Sequence, residues 1–362
     1  MWVAPGRVNL IGEHTDYTGG FALPLAVGRY VRVEAVRGPG LVARSAQVDE
    51  PVRVAELVPG AVRGWAAYPA GVLWALREAG HPVGGLEISV DGDLPLGAGL
   101  SSSAALACAV ALAASDLYEL GLDRAELARV ARRAENDFVG VPTGAMDQLA
   151  VLFGAEGHAL LLDTRALSVE PVPLDLGRYG LALLVIDTGA PHTLVTSGYG
   201  DRQRECAQAT ELLGVPALRD VTDAAAVDGL PEPLDRRVRH VVTENARVLK
   251  VAATLRGGAD PRAIGPALTA SHLSLRDDYE VSAPQLDTAV EAALAAGAYG
   301  ARMTGGGFGG SAIALIDADR ADAVQQAVSA AFAQVGHVPP SIFPVKAAGG
   351  AHRVIGPSAD RE

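Results

Sequence analysis

A chain of 362 residues, 49% hydrophobic and 20% charged, is long and apolar enough for the cores of two domains, which excludes a disordered polymer. A net charge of −12 argues against nucleic acid or an anionic membrane as the main partner, but not against a phosphorylated small ligand, which answers to local field. The longest apolar run, Ala104–Ala114, falls well short of the roughly 20 residues of a membrane helix.

Met1-Trp2-Val3-Ala4-Pro5 has neither the basic start nor the apolar centre of a signal peptide, so a cytoplasmic protein is expected. Cys108 and Cys206 have no metal-binding spacing, and no H-x-H or H-E-x-x-H pair occurs, so neither a disulfide framework nor a zinc site is suggested. Lysine occurs only at Lys250 and Lys346, and no G-x-x-x-x-G-K-[ST] loop exists. Any phosphate site here is therefore built without a Walker lysine.

Residues 6–20 read GRVNLIGEHTDYTGG. Glu13, His14 and Asp16 crowd into a glycine-flanked stretch after the apolar run Val8-Asn9-Leu10-Ile11, and capping a strand requires none of them. Leu86–Val90 alternates like a half-buried strand. The segment DLPLGAGLSSSAAL (93–106) follows, with a helix predicted from Ser102 to Leu117. Gly97 and Gly99 would let backbone N–H groups approach an anion at the electropositive start of that helix, and Ser101, Ser102 and Ser103 add hydroxyls. A glycine turn with one serine cap is the bland alternative, and it leaves two serines unexplained.

Asp123 with Glu126 forms a capping box that opens a helix through about Asn136. In AENDFVGVPTGAMDQLA (134–150), Glu135 and Asp147 stand on either side of a Pro142–Gly144 turn. A glutamate on a helix is usually solvated surface. Asp147 sits among Ala145, Met146, Leu149 and Ala150, where an unpaired charge would be costly, so a cationic partner is expected; Arg7 is a candidate. Two carboxylates from different elements suit a magnesium-dependent transfer.

Strands are expected at Leu160–Leu162 and Leu181–Ile186, with a domain junction in the proline-dotted stretch Val169–Gly180 between them. Helices follow at Arg202–Leu213, Arg236–Leu255, Gln285–Ala296 and Ala321–Val335, a strand at Ser311–Ile316, and a loop at 228–233. RMTGGGFGGSAIAL (302–315) places five glycines in six positions before that strand, which suits a ligand loop or a tight hairpin. The coarse reading is α+β with two unequal halves.

In their order along the chain, these segments resemble the GHMP small-molecule kinases. Within that superfamily GRVNLIGEHTDYTGG, GVPTGAMDQ, SHLSLRDDYEVSAPQLD (271–287) and GARMTGGGFGGSAIAL (300–315) are similar to the galactokinases, over roughly Ala4 to Arg353. The resemblance implies a two-domain fold: a ribosomal-S5-like N-terminal domain over 1–178 and a ferredoxin-like C-terminal domain over 179–362, with the site between them. It implies transfer of the γ-phosphoryl of ATP, with Mg²⁺, to the anomeric hydroxyl of α-D-galactose, by a monomer or homodimer.

Residue by residue, the resemblance makes Asp147 the group that orients or deprotonates O1 and Arg7 its partner. Ser103 and Glu135 become the Mg²⁺ ligands, and Gly97, Gly99, Leu100, Ser101 and Ser102, with Ser103, the phosphate loop. Asp16 is turned toward the 3- and 4-hydroxyls, Glu13 and His14 toward the 6-hydroxyl, with Gly144 and Tyr199 completing the sugar contacts. Thr143, Ala145 and Thr18 depart from the commoner pattern without removing a charge. Members of the family carry a helix and the start of a strand ahead of the segment matched by Ala4-Pro5-Gly6, which implies less N-terminal support for the sugar site here.

Two other readings fit the same segments. A kinase for N-acetylgalactosamine, arabinose or another galactose-like sugar would differ only in pocket shape. A sugar-sensing regulator would have lost residues from the Gly-Ser loop, whereas Ser103-Ala104 follow Gly99-Leu100-Ser101-Ser102 without a gap.

Overall fold

The computed structural model describes residues 1–95, 98–190, 195–221 and 227–354. Its first sheet holds β1 (Trp2–Asn9), β3 (Pro24–Gly38), β4 (Leu41–Ser45), β5 (Val48–Val54), β6 (Gly85–Gly92) and β13 (His352–Arg353), in the order β13-β1-β3-β6-β4-β5. A three-stranded sheet joins β2 (Phe21–Ala22), β7 (His158–Asp163) and β8 (Ser168–Pro173) in that order. The last sheet is antiparallel, ordered β10-β11-β9-β12, from β9 (Leu181–Asp187), β10 (Gly300–Thr304), β11 (Ser311–Asp317) and β12 (Ser341–Val345).

Every residue of β1 is buried, because the strand lies inside its sheet between β13 and β3 and under a helix. That helix is α2 (Ser102–Leu117), which has the predicted bounds. Its run Ala104–Ala111 is buried throughout; small side chains let the helix lie close to the sheet, and an apolar girdle suits a helix covered on all sides. Helices α1 (Ala67–Glu78), α3 (Arg124–Arg133) and α4 (Met146–Phe153) complete this first core. The second core lies between the last sheet and α5 (Val195–Leu213), α6 (Leu234–Arg256), α7 (Gly265–Asp277), α8 (Pro284–Ala295) and α9 (Ala321–Val335).

The Asp123 capping box is present: Asp123 Oδ1 accepts from Glu126 N at 2.8 Å, and Glu126 Oε2 accepts from Asp123 N at 2.8 Å. The helix it opens does not stay α-helical to Asn136. It widens into a π-helical turn over Ala134–Val139 and stops at Gly140. The stretch Val169–Gly180 begins as strand β8, and Pro171 and Pro173 are tolerated because β8 is the edge of its sheet. After β12 the chain returns to the first sheet, where β13 pairs with Trp2 and Val3.

Gly12 turns the chain out of the first strand. Its φ of +103° suits glycine, and a Cβ there would overlap the backbone of Phe21 and Ala22. This turn sends Glu13, His14 and Asp16 toward the gap between the two cores.

Candidate active site

Arg7 lies in the second half of β1, and Asp147 in the first turn of α4, where the helix dipole favours a negative charge. The two meet as a fork on a carboxylate: Arg7 Nε donates to Asp147 Oδ1 at 2.8 Å and Nη2 to Oδ2 at 3.0 Å. The remaining Nη1 donates to Gly99 O at 2.6 Å. Ser101 Oγ adds a third donor to Asp147 Oδ2 at 2.5 Å. Ser101 is left-handed (φ +58°) and its side chain caps no helix amide. The reading of a capping serine therefore gives way to a serine turned onto the aspartate.

The π-helical turn brings Glu135 into the same cleft, as extra residues in a helix often do at functional sites. Its Oε1 accepts from Ser103 Oγ at 2.9 Å and its Oε2 from Gln148 Nε2 at 2.8 Å. Burial first, and then the charge of Asp147, push its pKa up to about 7. No ion-pair partner holds it among the described residues. A buried carboxyl beside a hydroxyl, both hard oxygen donors without a cation, fits a divalent ion that brings phosphates as its other ligands. Among the described residues no group of three or more His, Cys, Asp or Glu gathers to hold an ion unaided.

Glu13 is buried at 1% exposure, and its carboxylate is already heavily bonded. Arg302 Nη2 lies 2.5 Å from Oε2, Asn9 Nδ2 donates to Oε2 at 2.7 Å, and Gly305 N donates to Oε1 at 2.8 Å. It thus ties the first motif to the glycine loop of the second half. His14 is also committed: Nδ1 meets Tyr17 OH at 2.8 Å and Nε2 meets Gly306 O at 3.1 Å. Burial, followed by His240, pushes its pKa down to about 3, so the ring is neutral.

Asp16 differs from both. It is half-buried, lines the open cleft and packs against Gly144, where a Cβ would overlap its carboxylate. Burial and then Asp147 push its pKa up to about 6. Tyr199 closes this wall, its ring 5.3 Å from His14 and 5.4 Å from Tyr17 by centroid. Burial raises its phenol pKa well above the ordinary value, so it stays a neutral hydroxyl.

One cleft of about 250 Å³ is lined by Arg7, Glu13, His14, Asp16, Ser103, Glu135, Gly144, Asp147 and Tyr199, the size for a single monosaccharide-like ligand. Among the residues expected to form a phosphate loop, Gly99 and Leu100 give their carbonyls to Arg7, through Nη1 and the backbone N respectively. Gly97 lies outside the described residues. Ser102 and Ser103 turn toward a second cavity of about 340 Å³, which shares Tyr68 and Ser103 with the first.

That second cavity is walled by Val31, Trp65, Tyr68, Val90, Leu94 and Leu106, an apolar slot with polar atoms at its ends. Sequence reasoning missed it, because Trp65 and Tyr68 belong to no motif. The available hint was two aromatic rings close together in a chain only 5% aromatic. It also missed Asn136, which grips Thr143 in the loop over the first cleft: Thr143 N and Oγ1 donate to Asn136 Oδ1 at 2.9 and 3.0 Å, and Nδ2 donates to Thr143 O at 3.1 Å.

Comparison with known proteins bears on the whole of this arrangement. Residues 67–155 match the GHMP kinases N terminal domain and residues 251–334 the GHMP kinases C terminal. Residues 1–37 match the galactokinase galactose-binding signature. The galactokinase of Streptomyces coelicolor is 52% identical, across 98% of this chain and 94% of that protein. The galactokinase of Mycobacterium tuberculosis is 48% identical, across 96% and 97%. The crystal structure of Lactococcus lactis galactokinase complexed with galactose superposes with a TM-score of 0.91 at 33% identity, covering 98% of this chain and 94% of that one. With the GHMP kinase fold in both halves, the signature around Arg7 and Asp16 and this identity along nearly the full length, the chain belongs to the galactokinase family of sugar kinases.

Proposed function

We propose that the chain transfers the γ-phosphoryl of ATP to the anomeric O1 of α-D-galactose, giving galactose 1-phosphate and ADP. The observation that carries this reading is the Arg7–Asp147 fork beside the Asp16 carboxylate in one monosaccharide-sized cleft. Asp16, with Gly144 and Tyr199, reads the ring hydroxyls. A site with a buried acceptor aimed at one hydroxyl rejects the epimer that leaves it unpaired. Glu13 and His14 shape the far wall, each held by bonds to the glycine loop.

Asp147 Oδ2 is shared by Arg7 and Ser101, while among the described residues Oδ1 accepts only from Arg7 Nε, so a lone pair of Oδ1 is left for the O1 hydroxyl. As O1 bonds to the γ-phosphorus, its proton passes to Asp147 and the bond to the ADP oxygen breaks. The fork of Arg7 keeps the carboxylate aligned, and alignment together with charge stabilisation carries most of a loose phosphoryl transfer. Glu135 and Ser103 would hold Mg²⁺; when bound, it neutralises charge on the phosphate oxygens. The slot lined by Trp65 and Tyr68 suits a flat nucleobase, and the phosphates then lie toward the start of α2.

No helix among the described residues is long and apolar enough to cross a membrane, in keeping with a reading in which the enzyme meets galactose and ATP in the cytoplasm. ADP release measured over galactose, glucose, N-acetylgalactosamine and arabinose tests the substrate. Galactose is expected to lead, and preference for any other sugar overturns the assignment.

A further inference from the structure

The motif at 271–287 supplies none of the groups in the cleft, yet its Tyr279 lies directly behind the sugar wall. Tyr279 is fully buried, its ring 4.9 Å from His14 and 4.5 Å from His240 by centroid. Four side chains form a continuous hydrogen-bonded chain: Cys206 Sγ to Tyr279 OH at 3.0 Å, Tyr279 OH to Tyr17 OH at 2.8 Å, and Tyr17 OH to His14 Nδ1 at 2.8 Å. The far nitrogen, His14 Nε2, ends on the carbonyl of Gly306 at 3.1 Å.

Elementary hydrogen-bond chemistry gives this chain a direction. A carbonyl only accepts, so Nε2 carries the proton of the neutral ring. Nδ1 then has only a lone pair, and Tyr17 must donate to it. With its one proton used, Tyr17 accepts from Tyr279, which in turn accepts from the Cys206 thiol. Burial pushes that thiol up to about 11, so it keeps its S–H. His14 itself is held left-handed (φ +61°), a conformation a non-glycine residue keeps only when its surroundings impose it.

We propose that Tyr17 and Tyr279 are positioning residues for sugar recognition, which through this one-way chain fix the tautomer and ring orientation of the His14 wall. Neither touches the cleft chemistry directly. The tyrosine of the 271–287 motif thereby acts on a pocket built mostly from the first half of the chain. The inference rests on the reading of the cleft as a sugar site.

Nitrogen-15 NMR of histidine-labelled protein reads the tautomer directly, and steady-state kinetics of Tyr17→Phe reads its consequence. The wild-type ring is expected to be protonated at Nε2. Tyr17→Phe, which leaves Nδ1 unpaired, is expected to raise the KM for galactose roughly tenfold, with the KM for ATP changed by less than about twofold. Tyr279→Phe leaves the Tyr17 donor in place and should shift the galactose KM in the same direction by less. An Nδ1-protonated wild-type ring overturns the proposal. So does a Tyr17→Phe enzyme with unchanged galactose KM, or one in which both KM values and the melting temperature move together. If Tyr17→Phe does not fold, Tyr279→Phe and the wild-type tautomer decide the matter. Absence of turnover on galactose by the wild type would instead strike the sugar assignment, and the tautomer would still be read.

Discussion

Gly144 and Asp16 occupy one another's space: a Cβ on the glycine would overlap the aspartate's Oδ2 and Cγ. Gly144 has no positive φ, so it is the room, and not backbone freedom, that demands glycine here. Gly144→Ala should push the carboxylate off the sugar hydroxyls and lower kcat/KM for galactose by about 100-fold, the cost of displacing a positioning group by an ångström. The melting temperature should change little, since the loop borders an open cleft. Wild-type kcat/KM in this variant would remove Asp16 from sugar recognition.

The role proposed for Asp16 would make sugar binding pH-dependent. Its pKa is raised to about 6, so in the free protein it is protonated below that value and ionised above. The ionised form accepts hydroxyls on both oxygens, so sugar affinity should be constant above pH 6 and fall below it by about tenfold per pH unit. Calorimetry of galactose binding without nucleotide, run on the wild type and on Asp16→Asn, separates this group from Glu135, whose pKa is raised to about 7 in the same cleft. A dissociation constant flat from pH 5 to 8 would contradict the assignment, and Asp16→Asn should remove the inflection.

The Arg7 fork makes three bonds in two directions, to both oxygens of Asp147 and to Gly99. A lysine ammonium cannot reproduce that geometry. Arg7→Lys is expected to lower kcat by about 10²- to 10³-fold, the usual loss when a preorganised donor is removed from a reacting centre. A drop below threefold would place Arg7 outside the mechanism.

Asn136 and Thr143 predict a narrower effect. Three hydrogen bonds between them pin the loop that carries Gly144, while the adjacent Glu135 lines the same cleft as a proposed Mg²⁺ ligand. Asn136→Ala should raise the KM for galactose about tenfold and leave that for ATP nearly unchanged, as loss of a few part-buried hydrogen bonds implies. Equal changes in both constants would show the loop serving the whole cleft.

Much of this was legible in the sequence, for identifiable reasons. Helices α2 and α9 stand at their predicted bounds because long alanine-rich runs, with leucine in α2 and valine in α9, compete with nothing else locally. The capping box at Asp123 is a contact within one turn, so its spacing suffices. A cationic partner for Asp147, found in Arg7, is legible because a charge amid alanine, methionine and leucine needs one. What stayed hidden depended on distance or backbone. Glu13 looks like a free carboxylate until β10 brings Arg302 against it. Ser101 looks like a cap until its left-handed turn aims it at Asp147. Trp65 and Tyr68 carry no pattern at all, and only the packing that sets the turn before α1 and α1 itself beside α2, β3 and β6 reveals their slot.

Every proposed role in the cleft depends on phosphoryl transfer to galactose O1 at the Asp147 centre. The most direct test is phosphorus NMR of the product formed from ATP, Mg²⁺ and galactose, with Asp147→Ala as the blank. Galactose phosphorylated at the anomeric oxygen is expected from the wild type, with loss of nearly all turnover in the variant. Phosphate on another hydroxyl, or an Asp147→Ala enzyme that keeps its rate, would contradict this transfer.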